Sequence, residues 1–275
     1  MLKKMNCELC AFNNPKATVT AIIIKDNKLL LLKRNQEPFL GQWDLPGGYI
    51  SGEKETPEEA LTREIKEEFG IDDVKLTFIK NLPGQAQWKD KKYATLNNFY
   101  LTEINGEIKL NEENSEFNFV NLKNINPKDI AFDSNQKMIE WLKENFIFDL
   151  ERVKELVRQL DSSAIVNEQS LYKAMLSGFI SKIYDGEKLV GMGWIFPRQT
   201  LLRRQAVVED MIVDDAYRGK GYGQKILLEL LAWAKKEKMD MVELTTNPKR
   251  IAANELYKKV GFNLHPTNHY LYSVK

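Results

Sequence analysis

Residues 46–71 read PGGYISGEKETPEEALTREIKEEFGI, and this stretch decides the fold of the first half of the chain. A Gly-Gly loop precedes a helix that is predicted to begin after Thr56 and to end at Gly70. Thr56 is a favourable N-cap, Pro57 suits the first helical position, and Glu59 completes a capping box. Gly70 is typical of the residue that ends a helix. The sequence therefore predicts a capped helix with glycine on both sides.

Three carboxylates share one face of this predicted helix. Glu64, Glu67 and Glu68 stand at positions i, i+3 and i+4, which lie on the same side of a helix. Like charges at this spacing repel each other unless a cation gathers them. Mg²⁺ takes carboxylate oxygens as ligands, and waters and phosphate oxygens fill its remaining positions. The three glutamates therefore indicate half of a metal–phosphate site.

The spacing of the stretch resembles the signature of the Nudix hydrolases. Their pattern Gly-x5-Glu-x7-Arg-Glu-hydrophobic-x-Glu-Glu-x-Gly-hydrophobic is matched from Glu55 to Ile71, but six residues rather than five follow Gly48. The resemblance implies a Nudix-type α/β/α sandwich with a mixed sheet. It also implies hydrolysis of a nucleoside diphosphate linked to another group, with Mg²⁺ or Mn²⁺ held by Gly47, Glu64, Glu67 and Glu68, of which the glutamates are catalytic. The WDLPGG stretch resembles members that act on ADP-ribose-like substrates.

Other residues near this helix have predicted roles. Arg63 is expected to orient Glu59 or Glu67, because each lies four residues away on a helix. Trp43 is expected either to pack in the core or to stack on a base. The resemblance also implies one further acidic residue, for which the candidates are Glu112, Glu113 and Glu116.

Length and composition favour two globular domains. The chain has 275 residues, of which 43% are hydrophobic and 29% charged, and its net charge of +1 does not indicate nucleic-acid binding. It contains no apolar run of about 18 residues and no secretory segment, so we expect a cytoplasmic protein without a membrane span. We place the domains at 1–148 and 149–275. The oligomeric state stays open.

Cys7 and Cys10 form a C-x-x-C pair without a second ligand pair. A zinc ribbon needs four ligands, so the pair resembles a remnant of such a site. We expect reduced thiols that bind no metal.

The rest of the first half reads as strands and one helix. Residues 17–24 and 28–34 predict a hairpin. Further strands are predicted near 75–80, 92–102, 107–110 and 116–122, followed by an amphipathic helix over 134–146.

The second half begins with two predicted helices, over residues 150–160 and 167–177, and a hairpin over 179–196. The domain's first strand has one candidate, residues 146–148. Residues 208–223 then read VEDMIVDDAYRGKGYG, a strand followed by a glycine-rich turn that opens a helix over 224–236. Glycines let backbone N–H groups approach a phosphate, and the helix dipole favours an anion at this end.

This turn resembles the acetyl-CoA loop of GNAT-type N-acetyltransferases, Arg/Gln-x-x-Gly-x-Gly/Ala, matched by Arg218, Gly221 and Gly223. The later Asn254-x-x-Tyr257 and Gly261-Phe262 resemble another element of that family. The resemblance implies a GNAT-type α/β fold in which acetyl-CoA donates an acetyl group to an amine. The implied contacts to acetyl-CoA are Met211, Val213, Asn254 and the loop Arg218, Gly219, Lys220, Gly221, Tyr222 and Gly223.

The resemblance also implies two catalytic residues. Tyr257 would protonate the leaving thiolate, and Glu209 would deprotonate the amine, because a protonated amine has no lone pair for attack. Glu209 and Asp210 are expected to face opposite sides of their strand, so only one can face the substrate. Glu209 as a structural carboxylate paired with an arginine is an equal alternative.

The sequence therefore predicts a two-domain α/β protein, a Nudix hydrolase followed by a GNAT acetyltransferase. Its partners would be a small nucleotide substrate and an amine acceptor. The alternative is an acetyltransferase regulated by a Nudix domain that senses a nucleotide without cleaving it. The three retained carboxylates favour hydrolysis.

Overall fold

A computed structural model of the chain describes residues 15–51, 54–88 and 91–274. The chain divides into two compact units, of which one ends at Leu150 and the other begins at Glu151. The functional boundary between residues 148 and 149 stays a prediction.

Among the described residues, the first unit combines strands with two α-helices, of which one follows the fifth strand and the other follows the last strand. Its strands are β1 (Lys16–Ile22), β2 (Ile24–Lys25), β3 (Lys28–Arg34), β4 (Trp43–Asp44), β5 (Gly47–Tyr49), β6 (Val74–Trp88), β7 (Lys91–Ile104) and β8 (Asn114–Asn121). Its helices are α1 (Pro57–Phe69) and α2 (Asp133–Asn145). The strands form a mixed sheet in the order β5-β1-β7-β6, with β1 parallel to β7, and a second sheet of β2, β3 and β4 with β8 beside β3.

Helix α1 has the caps that the sequence predicts. Thr56 and Glu59 form both hydrogen bonds of the capping box, and Gly70 ends the helix with φ 71°. Leu61, Ile65 and Phe69 are fully buried against the strands of the first unit. Both ends and the buried face of α1 are therefore confirmed, and its carboxylates are left on the other side.

The predicted hairpin of residues 17–24 and 28–34 is only partly correct. Ile24 and Lys25 pair with β3 through a turn in which Asp26 and Asn27 have φ of 52° and 58°. The longer part of the run, β1, instead pairs with β5 and β7 in the other sheet. A continuous apolar run does not reveal that the chain changes sheets within it.

The predicted strand at 107–110 is wrong. The N–H groups of Lys109 and Asn111 donate to the carbonyl oxygens of Phe69 and Glu68, at 3.1 and 3.2 Å. These carbonyls belong to the last turn of α1, where a helix leaves acceptors unsatisfied. The segment therefore closes the end of α1 rather than joining a sheet.

The second unit has one four-stranded sheet with helices packed against it. Its helices are α3 (Leu150–Leu160), α4 (Glu168–Ser177), α5 (Tyr222–Lys236) and α6 (Ile251–Val260), and its strands are β9 (Phe179–Asp185), β10 (Lys188–Gln199), β11 (Arg204–Val213) and β12 (Met241–Leu244). The strand order is β12-β11-β10-β9, with β11 and β12 parallel. Ile226, Leu230 and Ala234 of α5 are buried in this unit's core.

The helices and the hairpin predicted for the second unit are confirmed. The candidate first strand at residues 146–148 is wrong, because Phe146 is the C-cap of α2 and its N–H donates to the carbonyl of Leu142. The ring of Phe146 lies 5.4 Å from that of Trp141. These residues are apolar because they are buried beside a helix end.

Candidate active sites

The three carboxylates of α1 differ in their surroundings. Glu68 is only 6% exposed, Glu64 is half-buried and Glu67 is exposed. The N–H of Gly47 donates to Oε2 of Glu68 at 3.1 Å. Burial, together with the charges of Glu64 and Asp44, raises the pKa of Glu68 well above its ordinary value. A carboxylate in such surroundings favours a cation or a proton beside it.

The Gly-Gly loop lies directly against these carboxylates. A Cβ at Gly48 would lie 2.4 Å from the carboxyl carbon of Glu64, and one at Gly47 would lie 2.1 Å from the carbonyl oxygen of Val19. At Gly47 the obstacle is backbone, so only glycine fits there, whereas a side chain at Gly48 would displace the carboxylate of Glu64. The contact between Gly48 and Glu64 is present although the loop carries one residue more than the Nudix pattern.

Arg63 gathers carboxylates around its guanidinium group. Its Nη1 donates to Oε1 of Glu64 at 2.8 Å and to Oε2 of Glu67 at 3.0 Å. Its Nε and Nη2 donate to the two oxygens of Glu55 at 3.2 and 3.1 Å. Nη2 also donates to the carbonyl of Tyr49 at 3.0 Å. The predicted contact with Glu67 is confirmed, and Arg63 joins the loop to the acidic face of α1.

The prediction that Arg63 contacts Glu59 is wrong. The carboxylate of Glu59 accepts hydrogen bonds from the N–H and hydroxyl of Thr56 at 2.8 and 3.0 Å, so the capping box occupies it. Glu55 takes the place beside Arg63, and Arg63 together with Ser51 lowers the pKa of Glu55 to about 2. Helix periodicity could not reveal this partner, because Glu55 precedes the helix. The sequence indicated a role for Glu55 only through its fixed position in the matched signature.

The donor set of α1 fits a hard divalent cation by its chemistry. Among the residues that the structure describes, no three acidic, histidine or cysteine side chains are placed to hold a metal ion on their own. Arg63 pairs with Glu64 and Glu67, whereas Glu68 is bonded to Gly47. Carboxylate and backbone oxygens are nevertheless the ligands that Mg²⁺ and Mn²⁺ prefer, and buried Glu68 needs a counter-charge. The metal ligands stay a prediction.

The structure separates the three candidates for a further acidic residue. Glu113 lines the same cavity as the carboxylates of α1, and its charge adds to burial in raising the pKa of Glu64. Glu116 forms an ion pair with Lys33 at 3.2 Å near the surface, and neither Glu116 nor Glu112 is among the described residues that line the cavity. The geometry therefore favours Glu113.

The carboxylates open into a cavity of about 1040 Å³, a size that suits a small-molecule ligand. Aromatic and basic side chains also line it. Tyr49 and Tyr93 are joined by a hydrogen bond of 2.6 Å between their hydroxyls, and Nζ of Lys16 lies 5.7 and 4.8 Å from their ring centres. Arg34 and Phe132 also contribute to the wall. The cavity thus combines acidic, basic and aromatic groups, as an anionic ligand with a planar part would require.

In the second unit, the glycine-rich loop has the backbone that glycine favours. Gly219 and Gly221 have φ of 79° and 82°, and a Cβ at either would meet no protein atom within 4 Å. Arg218 is held within the loop region, since its Nε donates to the carbonyl of Val213 at 3.2 Å and its guanidinium pairs with Asp215. The loop at the start of α5 is therefore exposed and unobstructed at these two glycines, although the carbonyl of Gly221 accepts the N–H of Lys225 at 3.1 Å.

The remaining loop residues differ in their contacts. Nζ of Lys220 lies 4.7 Å from the ring centre of Tyr217. Tyr222 is the first residue of α5 and is partly buried. A Cβ at Gly223 would lie 3.3 Å from Cδ2 of Leu256, so this glycine allows close packing of α5 on α6. Gly223 thus has a packing role in addition to its predicted one.

Strand β11 has an open edge at the predicted pantetheine contacts. It pairs with β12 only from Gln205 to Val208. Farther along, Met211 and Val213 have no partner strand on that side among the described residues. Backbone groups on such an edge can hydrogen-bond an extended ligand as another strand would, and the carbonyl of Val213 already accepts Nε of Arg218.

A bulge interrupts β11 next to Glu209. Trp194 pairs with Glu209 and Met192 pairs with Ile212, so two residues of β11 stand opposite one residue of β10. Asp210, the first of the two, has φ 50°. Because a bulge changes the direction of the side chains that follow, the expectation that Glu209 and Asp210 face opposite sides of the strand stays a prediction. Bulges are common beside active sites.

Glu209 and Tyr257 are both partly buried. Burial and the charge of Asp210 raise the pKa of Glu209, whereas the charge of His269 lowers it. Burial also raises the pKa of Tyr257, against a smaller effect of Arg250. A carboxylate with a raised pKa is a stronger base, and a tyrosine that keeps its proton can act as an acid.

Asn254 has a role within helix α6. Its amide group donates to the carbonyls of Asn247 and Arg250 at 3.2 and 2.9 Å. These bonds tie the start of α6 to the preceding turn. The contact of Asn254 with acetyl-CoA stays a prediction.

Comparison with known proteins assigns both halves to families. The NUDIX domain pattern matches residues 14–142, and the acetyltransferase (GNAT) family pattern matches residues 135–262. The ADP-ribose pyrophosphatase of Methanocaldococcus jannaschii is 38% identical over 133 residues, which are 47% of this chain and 75% of that protein. The first half of the chain is a Nudix domain, and the second half is a GNAT acetyltransferase domain.

Two further relatives match one domain each. The 8-oxo-dGTP diphosphatase of Proteus vulgaris is 34% identical over 85 residues, 30% of this chain and 72% of that protein. The uncharacterized N-acetyltransferase YobR of Bacillus subtilis is 29% identical over 89 residues, 32% of this chain and 34% of that protein. The chain therefore spans about a third of the length of YobR.

Trp43 of the Nudix domain does not line the cavity as far as the described residues show. Its carbonyl accepts a hydrogen bond from the N–H of Ala131 at 2.8 Å, and Nζ of Lys33 lies 5.8 Å from its ring centre. These contacts favour the packing role over stacking on a base.

Two predictions concern parts of the chain away from the active sites. Cys7 and Cys10 lie outside the described residues, so their expected lack of metal stays a prediction. Within the described ranges, none of the helices is long and apolar enough to cross a membrane.

Proposed function

We propose that the Nudix domain hydrolyses the pyrophosphate linkage of a nucleoside diphosphate joined to another group, with an ADP-ribose-like compound as the first candidate. The cavity beside the carboxylates of α1 is the observation that carries this proposal. It places Glu64, Glu68 and Glu113 in one space with the basic side chains Lys16 and Arg34. The relative named as an ADP-ribose pyrophosphatase, whose length this chain largely covers, supports the substrate class.

The residues of the site would have different roles in this reaction. Gly47, Glu64, Glu67 and Glu68 would hold Mg²⁺ or Mn²⁺, which neutralises phosphate charge and makes a bound water more acidic. The N–H of Gly47 fixes the carboxylate of Glu68. Arg63 holds Glu64 and Glu67 in place and is a positioning residue.

A substrate screen tests this proposal. The full chain would be incubated with ADP-ribose, dinucleotides and nucleoside triphosphates, with Mg²⁺ or with a chelator, and the products identified by phosphorus NMR. We expect ADP-ribose-like diphosphates to be cleaved to two monophosphates only when metal is present. Cleavage of triphosphates alone, with release of pyrophosphate, would show that the substrate class is wrong.

We also propose that the GNAT domain transfers an acetyl group from acetyl-CoA to an amine. The exposed backbone of Gly219 and Gly221 at the start of α5, together with the open edge of β11, supports binding of the cofactor's pyrophosphate and pantetheine. Glu209 would take a proton from the amine, whose nitrogen then attacks the thioester carbonyl. As the carbon–sulfur bond breaks, Tyr257 would protonate the leaving thiolate.

The acetyl transfer is tested by supplying acetyl-CoA with a panel of small amines and lysine peptides. Release of the free thiol and mass spectrometry of the acceptor would report the reaction. We expect acetylation of at least one amine in a manner that depends on Glu209. Binding of acetyl-CoA without acetylation of any amine would contradict the proposed transfer, whereas acetylation that required a nucleotide in the Nudix domain would favour the regulatory alternative.

A further inference from the structure

Trp194 of strand β10 lies beside the proposed base of the GNAT domain. It stands directly opposite Glu209 in the pairing of β10 with β11. Side chains of directly opposite residues lie on the same face of a sheet, with their Cβ atoms about 4.5–5.5 Å apart. A Cβ at the preceding Gly193 would contact Ile226 and Leu230 of α5, so Trp194 lies on the sheet face away from this helix. An amine that gives its proton to Glu209 would therefore meet the indole ring.

The indole of Trp194 is held in place and is only partly buried. Its Nε1 donates to the carbonyl of Ala174 at 3.1 Å. Its ring stacks on that of Phe196, with 4.4 Å between the ring centres and an angle of 28° between the ring planes. Both rings are partly exposed. The core of the GNAT domain therefore does not cover the whole surface of this aromatic pair, Trp194 and Phe196.

The surroundings of the aromatic pair favour a positive charge. Glu209 and Asp210 form no hydrogen bond or ion pair with any group in the described part of the chain. Ala174 belongs to the last turn of α4, where the carbonyl groups carry a partial negative charge. The charge of His269 acts in the opposite direction on Glu209, but less strongly than that of Asp210. The faces of Trp and Phe rings also attract cations, so the rings, the carboxylates and the helix end favour the same kind of ligand.

We propose that the aromatic pair, together with Glu209, binds the acceptor as its ammonium ion, and that the acceptor is a basic aliphatic amine. This inference rests on the proposed acetyl transfer. Aliphatic amines such as that of lysine are protonated near neutral pH, whereas arylamines are neutral. The ammonium ion would lie against the rings, and Glu209 would take its proton before the nitrogen attacks the thioester. Trp194 is in this account a specificity-determining residue, because its ring favours the charged ligand over a neutral one.

Fluorine NMR of the full chain tests the proposal at the ring itself. The five tryptophans would be labelled with fluorotryptophan, and the signal of Trp194 is the one that Trp194→Phe lacks. Tetramethylammonium would be titrated with acetyl-CoA bound, because a quaternary ammonium ion has no lone pair and is not acetylated. We expect it to shift the Trp194 signal in a saturable way, and uncharged tert-butanol, which is of similar size, to bind at least about threefold more weakly. The signal of Trp141, in the Nudix domain, should not move.

Variants separate binding of the cation from a packing role of Trp194. Glu209→Gln should weaken tetramethylammonium binding at least about threefold, because a charge beside the ring is lost. Glu187→Gln removes the same charge from the exposed β9–β10 turn and should leave this affinity unchanged. In acetylation assays, Trp194→Leu should raise KM for the amine more than it lowers kcat. Trp194→Phe keeps an aromatic face and should restore most of this loss.

The outcomes separate this inference from the proposed transfer. No saturable shift of the Trp194 signal, equal binding of tert-butanol, or equal affinity in Glu209→Gln would overturn the role of the aromatic pair. If Trp194→Phe does not fold, the signal is assigned by elimination through the other tryptophans, and the titration still decides. A shift of the Trp194 signal without acetylation of any amine would keep the binding role and overturn the proposed transfer. Acetylation of amines without this shift would overturn the inference alone.

Discussion

Replacing Glu68 is expected to affect catalysis and stability differently. Burial raises its pKa, so the folded protein favours its neutral form, and Glu68→Gln removes a charge that is costly to bury. We predict that Glu68→Gln lowers hydrolysis at least about 100-fold, because an oriented metal ligand is lost. The melting temperature should be unchanged or higher. Steady-state rates and thermal unfolding measure the two effects.

Two variants of α1 accompany this measurement. Glu67→Gln should lose activity to a similar extent, since it removes another predicted ligand. Glu58→Gln is the control on the same helix, because it bonds the hydroxyl of Tyr100 and an amide oxygen can still accept that bond. Near-normal hydrolysis by both Glu67→Gln and Glu68→Gln would contradict the metal site.

The pH dependence of acetyl transfer reports on Glu209. A general base acts when deprotonated, so the rate should rise with pH through the pKa of Glu209, which burial and Asp210 raise above the ordinary 4.5. Asp210→Asn removes the neighbouring negative charge and should move this inflection to lower pH. His269→Ala removes a charge that lowers the pKa and should move it to higher pH. An inflection that neither variant moves would assign the base to another residue.

The residues of the sites could be predicted from sequence only where they belong to a continuous motif. Glu64, Glu67 and Glu68 stand on one predicted helix, and their positions followed from its period. The choice of Glu113 could not be predicted, because it depends on a segment that folding brings to α1 from far along the chain. Glu55 belongs to the motif, but it precedes α1, so helix periodicity could not predict its hydrogen bonds to Arg63.

Among the elements, the glycine-rich turn before α5 has a direct test. Gly221→Asp places a charged side chain on backbone that a pyrophosphate would approach, and its φ of 82° disfavours any side chain. Gly186→Asp is a matched control, because Gly186 lies in the β9–β10 turn with φ 60° and a Cβ there would also meet no atom within 4 Å. Calorimetry should detect acetyl-CoA binding in the parent and in Gly186→Asp, and none in Gly221→Asp. Equal binding by all three would contradict the loop assignment.

The connection between α3 and the end of β11 is a buried ion pair. Arg152 pairs with Asp214, and its Nε donates to the carbonyl of Leu189 at 2.8 Å. Both side chains are less than a tenth exposed. Arg152→Met leaves the buried carboxylate of Asp214 without this cation, so we predict that it lowers the free energy of unfolding of the second unit by about 3–5 kcal/mol. Asp214→Asn should cost less, because Arg152 keeps its ion pair with Glu155 at 2.7 Å. Urea unfolding followed by Trp fluorescence measures this loss.

The same pair gives a pH dependence of stability. Arg152 lowers the pKa of Asp214 below its ordinary value of 3.8. A lowered carboxyl pKa stabilises the folded state above the unfolded pKa, and this contribution is lost as the pH falls through the folded pKa. The parent should therefore lose stability below about pH 4 more steeply than Arg152→Met. Parallel acid curves for the two proteins would contradict this role.

The elements could be predicted where local signals define both ends. Caps define α1, and an Asp-Gly turn defines the β9–β10 hairpin. The partners of the strands could not be predicted, because β1 pairs in parallel with residues of β7 that lie 79 positions later in the chain, such as Thr95 with Lys16. The segment at 107–110 has a strand-like composition but gives its N–H groups to the end of α1. The conformation of this segment therefore depends on carbonyl acceptors elsewhere in the fold, which its own sequence does not show.

At the scale of the whole molecule, the question is whether the two domains act independently. The Nudix and GNAT patterns each match one half of the chain, and each unit has its own core and its own candidate site. The regulatory alternative requires that a nucleotide in the first domain changes the acetyl-CoA affinity of the second. Such coupling must be reciprocal and is typically about 1–3 kcal/mol.

We predict independence, and a titration decides it. Acetyl-CoA would be titrated into the full chain with and without a saturating, non-hydrolysable analogue of a nucleoside diphosphate. A change in affinity below about twofold, less than typical coupling produces, supports two tethered enzymes. A change of about tenfold or more in the full chain, absent when residues 149–275 are titrated alone, would make regulation the better account. The reverse titration must then show the same factor, because a coupling free energy belongs to both sites equally.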